Sequence, residues 1–293
     1  MNLCIGLVKF RTKYNRQRTG TCSRFVECVR AGDRVCVSLT RGAFSGVYSK
    51  HNTLGTCPPE IVLSPWSSSS LDGVGSSLLR LQLPALPVIL VGPGTGIAPM
   101  RAIVQERVAV RDAHSYTGQT WAAHDGLHTL VFYGCRKFHE DCLYRSEWSD
   151  FPNDMPTAID GADAALLPPP PPQLATQSHA SGVFVSVAFS QEEVQGQLIP
   201  SPVASHDQCS IPPTGKVYVT HKIRLHSAAV WSLLQQGAVI FIAGSAGKRM
   251  PSNVKNAILN VIQHHQGGSA QEAAQYFKER FESKGKFLVE AWS

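Results

Sequence analysis

The chain has 293 residues, room for two modest domains at roughly 100–200 residues each. Hydrophobic residues make up 43% of it and no apolar run approaches bilayer-spanning length, so a packed core is expected and a membrane span is not. The formal charge of +6 is mild and spread along the chain, which speaks against nucleic acid and suits an acidic partner or a phosphorylated cofactor equally well. The eight cysteines include no C-x-x-C pair, the closest spacings being Cys22/Cys28, Cys28/Cys36 and Cys135/Cys142. With no cleavable leader evident after Met1, this pattern argues against a zinc site and a disulfide framework, and a reduced, cytoplasmic protein is expected.

Residues 1 to about 42 read as β-rich, with strand-like stretches at Leu3–Phe10 and Arg34–Leu39. Between them Gly20-Thr21-Cys22-Ser23 opens a short helix-like apolar run, Phe25–Val29. Ser45–Leu86 turns Ser-, Pro- and Gly-rich and reads as a linker or surface insertion. From Val88 the pattern becomes strand alternating with helix. Strands are expected at Val88–Val91, Thr129–Tyr133, Val183–Phe189, Ala238–Ala243 and Lys286–Val289. Helices are expected at Ile97–Val110, Asp141–Trp148, Ser227–Gln236, Pro251–His265 and Gln271–Phe281. Insertions fall at 111–128, 151–181 and 191–215; the second holds the prolines Pro168–Pro172, which exclude helix and central strand and imply an exposed, partly disordered loop. The implied architecture is α/β, a doubly wound parallel sheet over 87–293 after a smaller β segment at 1–86.

The stretch most telling of chemistry is Val88–Arg101. Four apolar residues make a buried strand, and Gly92, Pro93, Gly94, Thr95 and Gly96 then form a tight turn whose backbone a ligand can approach. The helix that follows, with Pro99 in its first turn, directs its positive end and free N–H groups at an anion. Nucleotide binding follows as a hypothesis that one glycine pattern leaves at even odds against an ordinary βα turn.

Seven segments together resemble the reductase part of the diflavin reductases, within the ferredoxin–NADP reductase-like family that includes cytochrome P450 reductase. They are GTCS at Gly20–Ser23, VGPGTGIAP at Val91–Pro99, FYGCR at Phe132–Arg136, EDCLYR at Glu140–Arg145, AFS at Ala188–Ser190, KVYV at Lys216–Val219 and EAWS at Glu290–Ser293. The resemblance implies a doubly wound NADP-binding domain behind a partial antiparallel β-barrel that binds FAD. It implies that Gly92, Gly94, Thr95 and Gly96 hold the NADPH pyrophosphate and that Arg136, Ser190, Lys216 and Tyr218 form the adenosine 2′-phosphate pocket, with Tyr218 on adenine. Gly20, Thr21, Cys22 and Ser23 would meet the flavin, Trp292 would cover its ring, and Glu290 would lie beside the hydride path. NADPH would reduce FAD, and electrons would leave through FMN, on a domain or flavodoxin-like partner, for an iron–sulfur or other one-electron acceptor protein, as in cytosolic iron–sulfur cluster assembly. Taken singly, the same residues fit plainer roles: Arg136 with Lys137 as solvated strand-end charges, Ser23 near a helix N-cap, Trp292 as a packing residue and Glu290 as an exposed carboxylate.

Three departures qualify the resemblance. Gln191 stands where the family has an arginine on the 2′-phosphate, a loss on the order of 1.5–3 kcal/mol unless Lys216 or Arg136 compensates. Ala243-Gly244-Ser245 replaces Cys-Gly-Asp. The flavin motif Arg-x-Tyr-Ser has no counterpart, so residues 1–42 supply about half of the roughly six strands a closed barrel needs. A fragment, a misplaced start and a split enzyme are all open, and the alternative to a reductase is an NADP(H)-binding chain without bound flavin or turnover.

Overall fold

The computed structural model describes residues 4–36, 44, 86–116, 128–155, 182–191 and 216–292. The chain divides into two units, Met1–Gly42 and Ala43–Ser293. In the first, strands β1 (Lys9–Arg11) and β2 (Gln17–Thr19) pair antiparallel with Phe10 opposite Arg18, and helix α1 (Thr21–Cys28) follows. Asn15 turns the hairpin at φ 59°, a left-handed conformation asparagine tolerates. Leu3 lies outside the described residues, and of the rest of the expected Leu3–Phe10 strand only the last two residues pair, with the polar Gln17–Thr19 as second strand. Arg34–Cys36 is not strand, and the rest of that expected element lies outside the described residues. The composition-based linker, Ser45–Leu86, also lies outside them except for Leu86.

The second unit is a five-stranded, all-parallel sheet flanked by helices. Its elements in chain order are β3 (Val88–Pro93), α2 (Ile97–Tyr116), β4 (Thr129–Cys135), α3 (Arg145–Trp148), β5 (Val183–Phe189), α4 (Val219–Leu225), α5 (Ser227–Gln235), β6 (Val239–Ser245), α6 (Met250–Gln266), α7 (Ala270–Phe277) and β7 (Phe287–Trp292). The sheet order is β5-β4-β3-β6-β7. Strands covered on both faces read as continuous apolar runs, and β5 is buried at all seven positions. Alternate residues face opposite ways. Ile89, Val91, Phe132, Ile240 and Ile242 pack with Ile223, Val254, Ile258 and Phe277 of α4, α6 and α7. Val88, Leu90, Val131, Tyr133 and Phe241 pack with Ile97, Met100, Val104 and Trp148 of α2 and α3. The doubly wound expectation holds.

Boundaries moved for identifiable reasons. Helix α2 continues through Tyr116, so the first six residues of the expected 111–128 insertion are helical. The expected helix Asp141–Trp148 shrinks to Arg145–Trp148. Tyr144 sits at φ 57°, and the preceding residues are spent on a different structure: Asp141 accepts backbone N–H groups from Arg136 and Lys137, and the Tyr133 hydroxyl accepts that of Leu143. Helix α4 was not anticipated. The insertion expected from Phe151 begins with a segment packed on the sheet: Val185 N–H donates to Pro152 O at 3.0 Å and Asp154 N–H to Val185 O at 3.2 Å, covering the outer edge of β5. No described helix is long and apolar enough to cross a membrane.

Candidate functional site

In an open parallel sheet, ligands bind beyond the carboxyl ends of the strands where the strand order reverses. Here that point lies between β3 and β6, since β4 and β5 extend the sheet one way and β6 and β7 the other. The glycine turn sits there. A Cβ on Gly96 would lie 2.0 Å from the carbonyl oxygen of Ala243, and one on Gly92 would lie 2.6 Å from that of Gly96. The turn thus folds back over β3 and rests directly on the backbone of β6, a closeness only glycine permits. Gly94 serves differently, at φ +60° with open space where a side chain would stand. Thr95 is half-buried, and the 20-residue α2 presents its positive end at the same edge.

On the other side of β6, Ala243 pairs in register with Glu290 and Ser245 with Trp292. Ala246 N–H donates to Trp292 O at 2.7 Å, which fixes the end of β7. Glu290 is half-buried, and Trp292 is 41% exposed despite its bulk. The structure therefore places Gly92–Gly96, Ala243, Glu290 and Trp292 along one edge. Gly244 continues the same backbone at φ +143°, where a Cβ would come within 3.0 Å of Pro93 O.

The second group converges at the ends of β4 and β5. Ser190 N–H donates to Cys135 O at 3.0 Å and Gln191 N–H to Arg136 O at 2.9 Å, continuing the pairing past both strands. Val217 N–H donates to Phe189 O at 3.3 Å and brings Lys216 and Tyr218 alongside. Arg136, Gln191, Lys216 and Tyr218 are exposed and Ser190 is half-buried. Arg136, at the end of β4, lies one strand spacing from the glycine turn, and Ser190, at the end of β5, lies two, roughly 10 Å.

Asp141 organises the cationic side. It accepts the N–H groups of Arg136 (2.9 Å) and Lys137 (2.7 Å) and the Nε–H of Arg136 (2.9 Å). Burial works against its charge, but the Lys137 N–H and the guanidinium and N–H of Arg136 hold the carboxyl below its usual range. Lys137 pairs with Glu140. Among the described residues only Nε of the Arg136 guanidinium is engaged, which leaves its terminal amino groups for a further anion. The Nδ1 of His221 accepts the N–H of Tyr218 at 3.0 Å. Burial, followed by the charge of Arg224, pushes His221 below the ordinary histidine range, which suits that acceptor role. Sequence reasoning missed Asp141 as an anchor, although EDCLYR was noted, because a carboxylate reaching back five residues has no periodicity.

A cleft of about 340 Å³ opens nearby, lined by Phe138, His139, Glu140, Cys142, Tyr144, Arg145 and Ser146. None of the sequence-predicted site residues lines it.

The remaining predicted residues belong to the first unit. Gly20 precedes α1, its N–H donating to Val8 O at 2.8 Å, and Thr21 and Cys22 are exposed. Ser23 is buried at 6% exposure, its Oγ accepting the Val8 N–H at 2.8 Å. The hydroxyl thus ties α1 to the segment before β1. Among the described residues no cluster of His, Cys, Asp or Glu is suited to a metal ion.

The family of oxidoreductase NAD-binding domains matches residues 90–171. The chain is 27% identical over 293 residues, its full length, to NADPH-dependent diflavin oxidoreductase 1 of Arabidopsis thaliana, covering 34% of that relative. It is 32% identical over 210 residues to the sulfite reductase [NADPH] flavoprotein alpha-component of Photobacterium profundum, covering 70% of the chain and 25% of the relative. It is 30% identical over 221 residues to NADPH–cytochrome P450 reductase of Homo sapiens, covering 75% of the chain and 24% of the relative. The chain thus spans about a third or less of the length of these relatives.

Proposed function

The chain belongs to the ferredoxin–NADP reductase-like family of NADPH-dependent flavoprotein reductases, and from that premise we propose that it is the NADPH-binding part of a diflavin-type oxidoreductase. The observation that carries this reading is the convergence of two sites on one sheet edge. A glycine-rich turn lies at the strand-order reversal, and a cluster of Arg136, Ser190, Lys216 and Tyr218 lies one to two strands away. One ligand with a diphosphate in its middle and a further phosphate at its end uses both.

NADP(H) lies across that edge. Gly92–Gly96 and the start of α2 hold the pyrophosphate through backbone N–H groups and the helix dipole. Arg136 and Lys216 hold the 2′-phosphate, Ser190 offers it a hydroxyl, and the exposed ring of Tyr218 stacks on adenine. Arg136 follows β4, where proteins that prefer NAD place an acid for the ribose, so the site favours NADP(H). Gln191 supplies hydrogen bonds but no charge, which narrows that preference. Trp292 offers a flat exposed ring beside the reversal point and Glu290 a carboxylate beneath it, where nicotinamide meets its acceptor. When bound, a flavin would take up the hydride and release the electrons singly. FAD is the expected acceptor, with FMN on another domain or a flavodoxin-like partner and an iron–sulfur or other one-electron acceptor beyond it, in the cytoplasm.

The described residues of the first unit do not by themselves enclose a flavin. Two three-residue strands and a Ser23 already bonded to Val8 favour a second reading, an NADP(H)-binding chain without flavin or turnover. Reconstitution with FAD followed by anaerobic reduction separates the two. The first reading expects yellow flavin absorbance retained through gel filtration and bleached faster by NADPH than by NADH. Intact NADP⁺ binding without flavin retention would establish the second.

A further inference from the structure

Beneath the exposed cluster lies a buried one. Asp154, Ser186, Lys222 and His226 are 3%, 0%, 4% and 4% exposed. Asp154 Oδ1 accepts the N–H of Val187 at 2.8 Å, and Oδ2 accepts the Ser186 hydroxyl at 2.8 Å and Lys222 Nζ at 2.9 Å. His226 Nε2 stands 3.2 Å from the same oxygen and 3.1 Å from Ser186 Oγ. Burial alone would raise the Asp154 carboxyl, yet Lys222 and His226 hold it well below the usual carboxylate range. No substrate reaches these groups, so they take no part in chemistry directly.

Their placement is informative. A buried ion pair is an inefficient source of stability, because apolar residues of similar volume often serve as well or better. What such a pair supplies is a fixed position. Asp154 comes from the segment covering the edge of β5, Ser186 and Val187 from β5 itself, and Lys222 from α4, four residues after Tyr218. Together with the Val217–Phe189 bond, the cluster ties the start of α4 to β5 at two levels. Resting on the NADP(H) reading above, we propose that Asp154 and Lys222 are positioning residues for the 2′-phosphate end of the site. By locking α4 to β5 they hold Lys216 and Tyr218 in register with Ser190 and Arg136. The preference for a 2′-phosphorylated nucleotide thereby depends on two side chains that never touch it.

The test uses 2′,5′-ADP and 5′-AMP, which differ only in the 2′-phosphate and need no flavin, titrated calorimetrically into the full chain. The paired variant Asp154→Asn/Lys222→Met removes both charges without stranding either. Circular dichroism checks that it folds. The expected result is an affinity ratio of 2′,5′-ADP to 5′-AMP about tenfold lower than in wild type, comparable to the loss of one charge-assisted hydrogen bond, with any loss through Tyr218 shared by both ligands. Should the pair not fold, Asp154→Glu keeps the charge, displaces it by one methylene and is expected to lower the same preference. A purely structural cluster would lower the melting temperature and leave the ratio of the two affinities unchanged, which would overturn the inference. Lys216→Ala serves as control. If it abolishes the preference while the paired variant does not, the NADP(H) reading stands and this inference falls. If wild type shows no preference, both fall.

Discussion

The two ends of the candidate site are built from different materials. At the strand-order reversal the surface is backbone: Gly92 and Gly96 are packed so closely against Gly96 O and Ala243 O that no side chain fits. One to two strands away the surface is side chains drawn from Arg136, Ser190, Gln191, Lys216 and Tyr218, held by bonds that continue past the ends of β4 and β5. A backbone site is shaped by one contiguous turn and binds whatever carries a diphosphate. A side-chain site needs several segments in register, and on the proposed reading it recognises the one phosphate that distinguishes NADP from NAD. The proposed reading therefore assigns affinity and specificity to separate regions.

The largest expected effect tests the backbone end. Gly96→Ala puts a methyl 2.0 Å from Ala243 O, and since backbone on both sides must yield, we expect about 3 kcal/mol or more of lost stability. Thermal unfolding measures that loss, and titration should show NADP⁺ and NAD⁺ weakened together. Weakening of NADP⁺ alone would contradict the division. At the side-chain end, Arg136→Ala should weaken NADP⁺ by roughly ten- to a hundredfold and leave NAD⁺ within a factor of about two, since in the proposed site the guanidinium serves only the extra phosphate. Gln191→Arg should sharpen the contrast, tightening NADP⁺ by about tenfold with NAD⁺ unmoved. No gain there would mean that position 191 faces away from the phosphate.

The smallest effect concerns the frame. The Asp154 carboxyl lies below its unfolded value of about 3.9, so its contribution to stability is present above roughly pH 4 and is lost as pH falls further. The melting temperature of wild type should therefore drop more steeply below pH 4 than that of Asp154→Asn, which starts lower. Parallel curves would show that the carboxylate is not stabilised by folding.

The same contrast explains what could be read from the chain alone. Continuous apolar runs such as Val183–Phe189 show themselves directly, and so did the turn, because glycines clustered after a buried strand have few other uses. The side-chain end became legible only by resemblance, since Lys216 and Tyr218 carry no periodic signal. Its supports were not legible at all. Helix α4 mixes β-branched Val219 and Thr220 with His221 and Lys222, and propensity there is overridden by packing. Asp154 meets a lysine 68 residues away, and a proline-rich neighbourhood made its segment look like loop. In the first unit the strand-like residues of Leu3–Phe10 suggested a strand, yet Leu7, Val8 and Phe10 are exposed and strand pairing among the described residues is confined to a short hairpin.

On the proposed reading one nucleotide spans both ends of the sheet edge. A crystal structure of the chain with NADP⁺ tests it most directly. The diphosphate is expected within hydrogen-bonding distance of the Gly92–Gly96 backbone and the 2′-phosphate on Arg136 and Lys216, with Tyr218 against adenine. A nucleotide seated instead in the cleft lined by Phe138, Cys142 and Tyr144, or held at the turn with its 2′-phosphate in solvent, would contradict it.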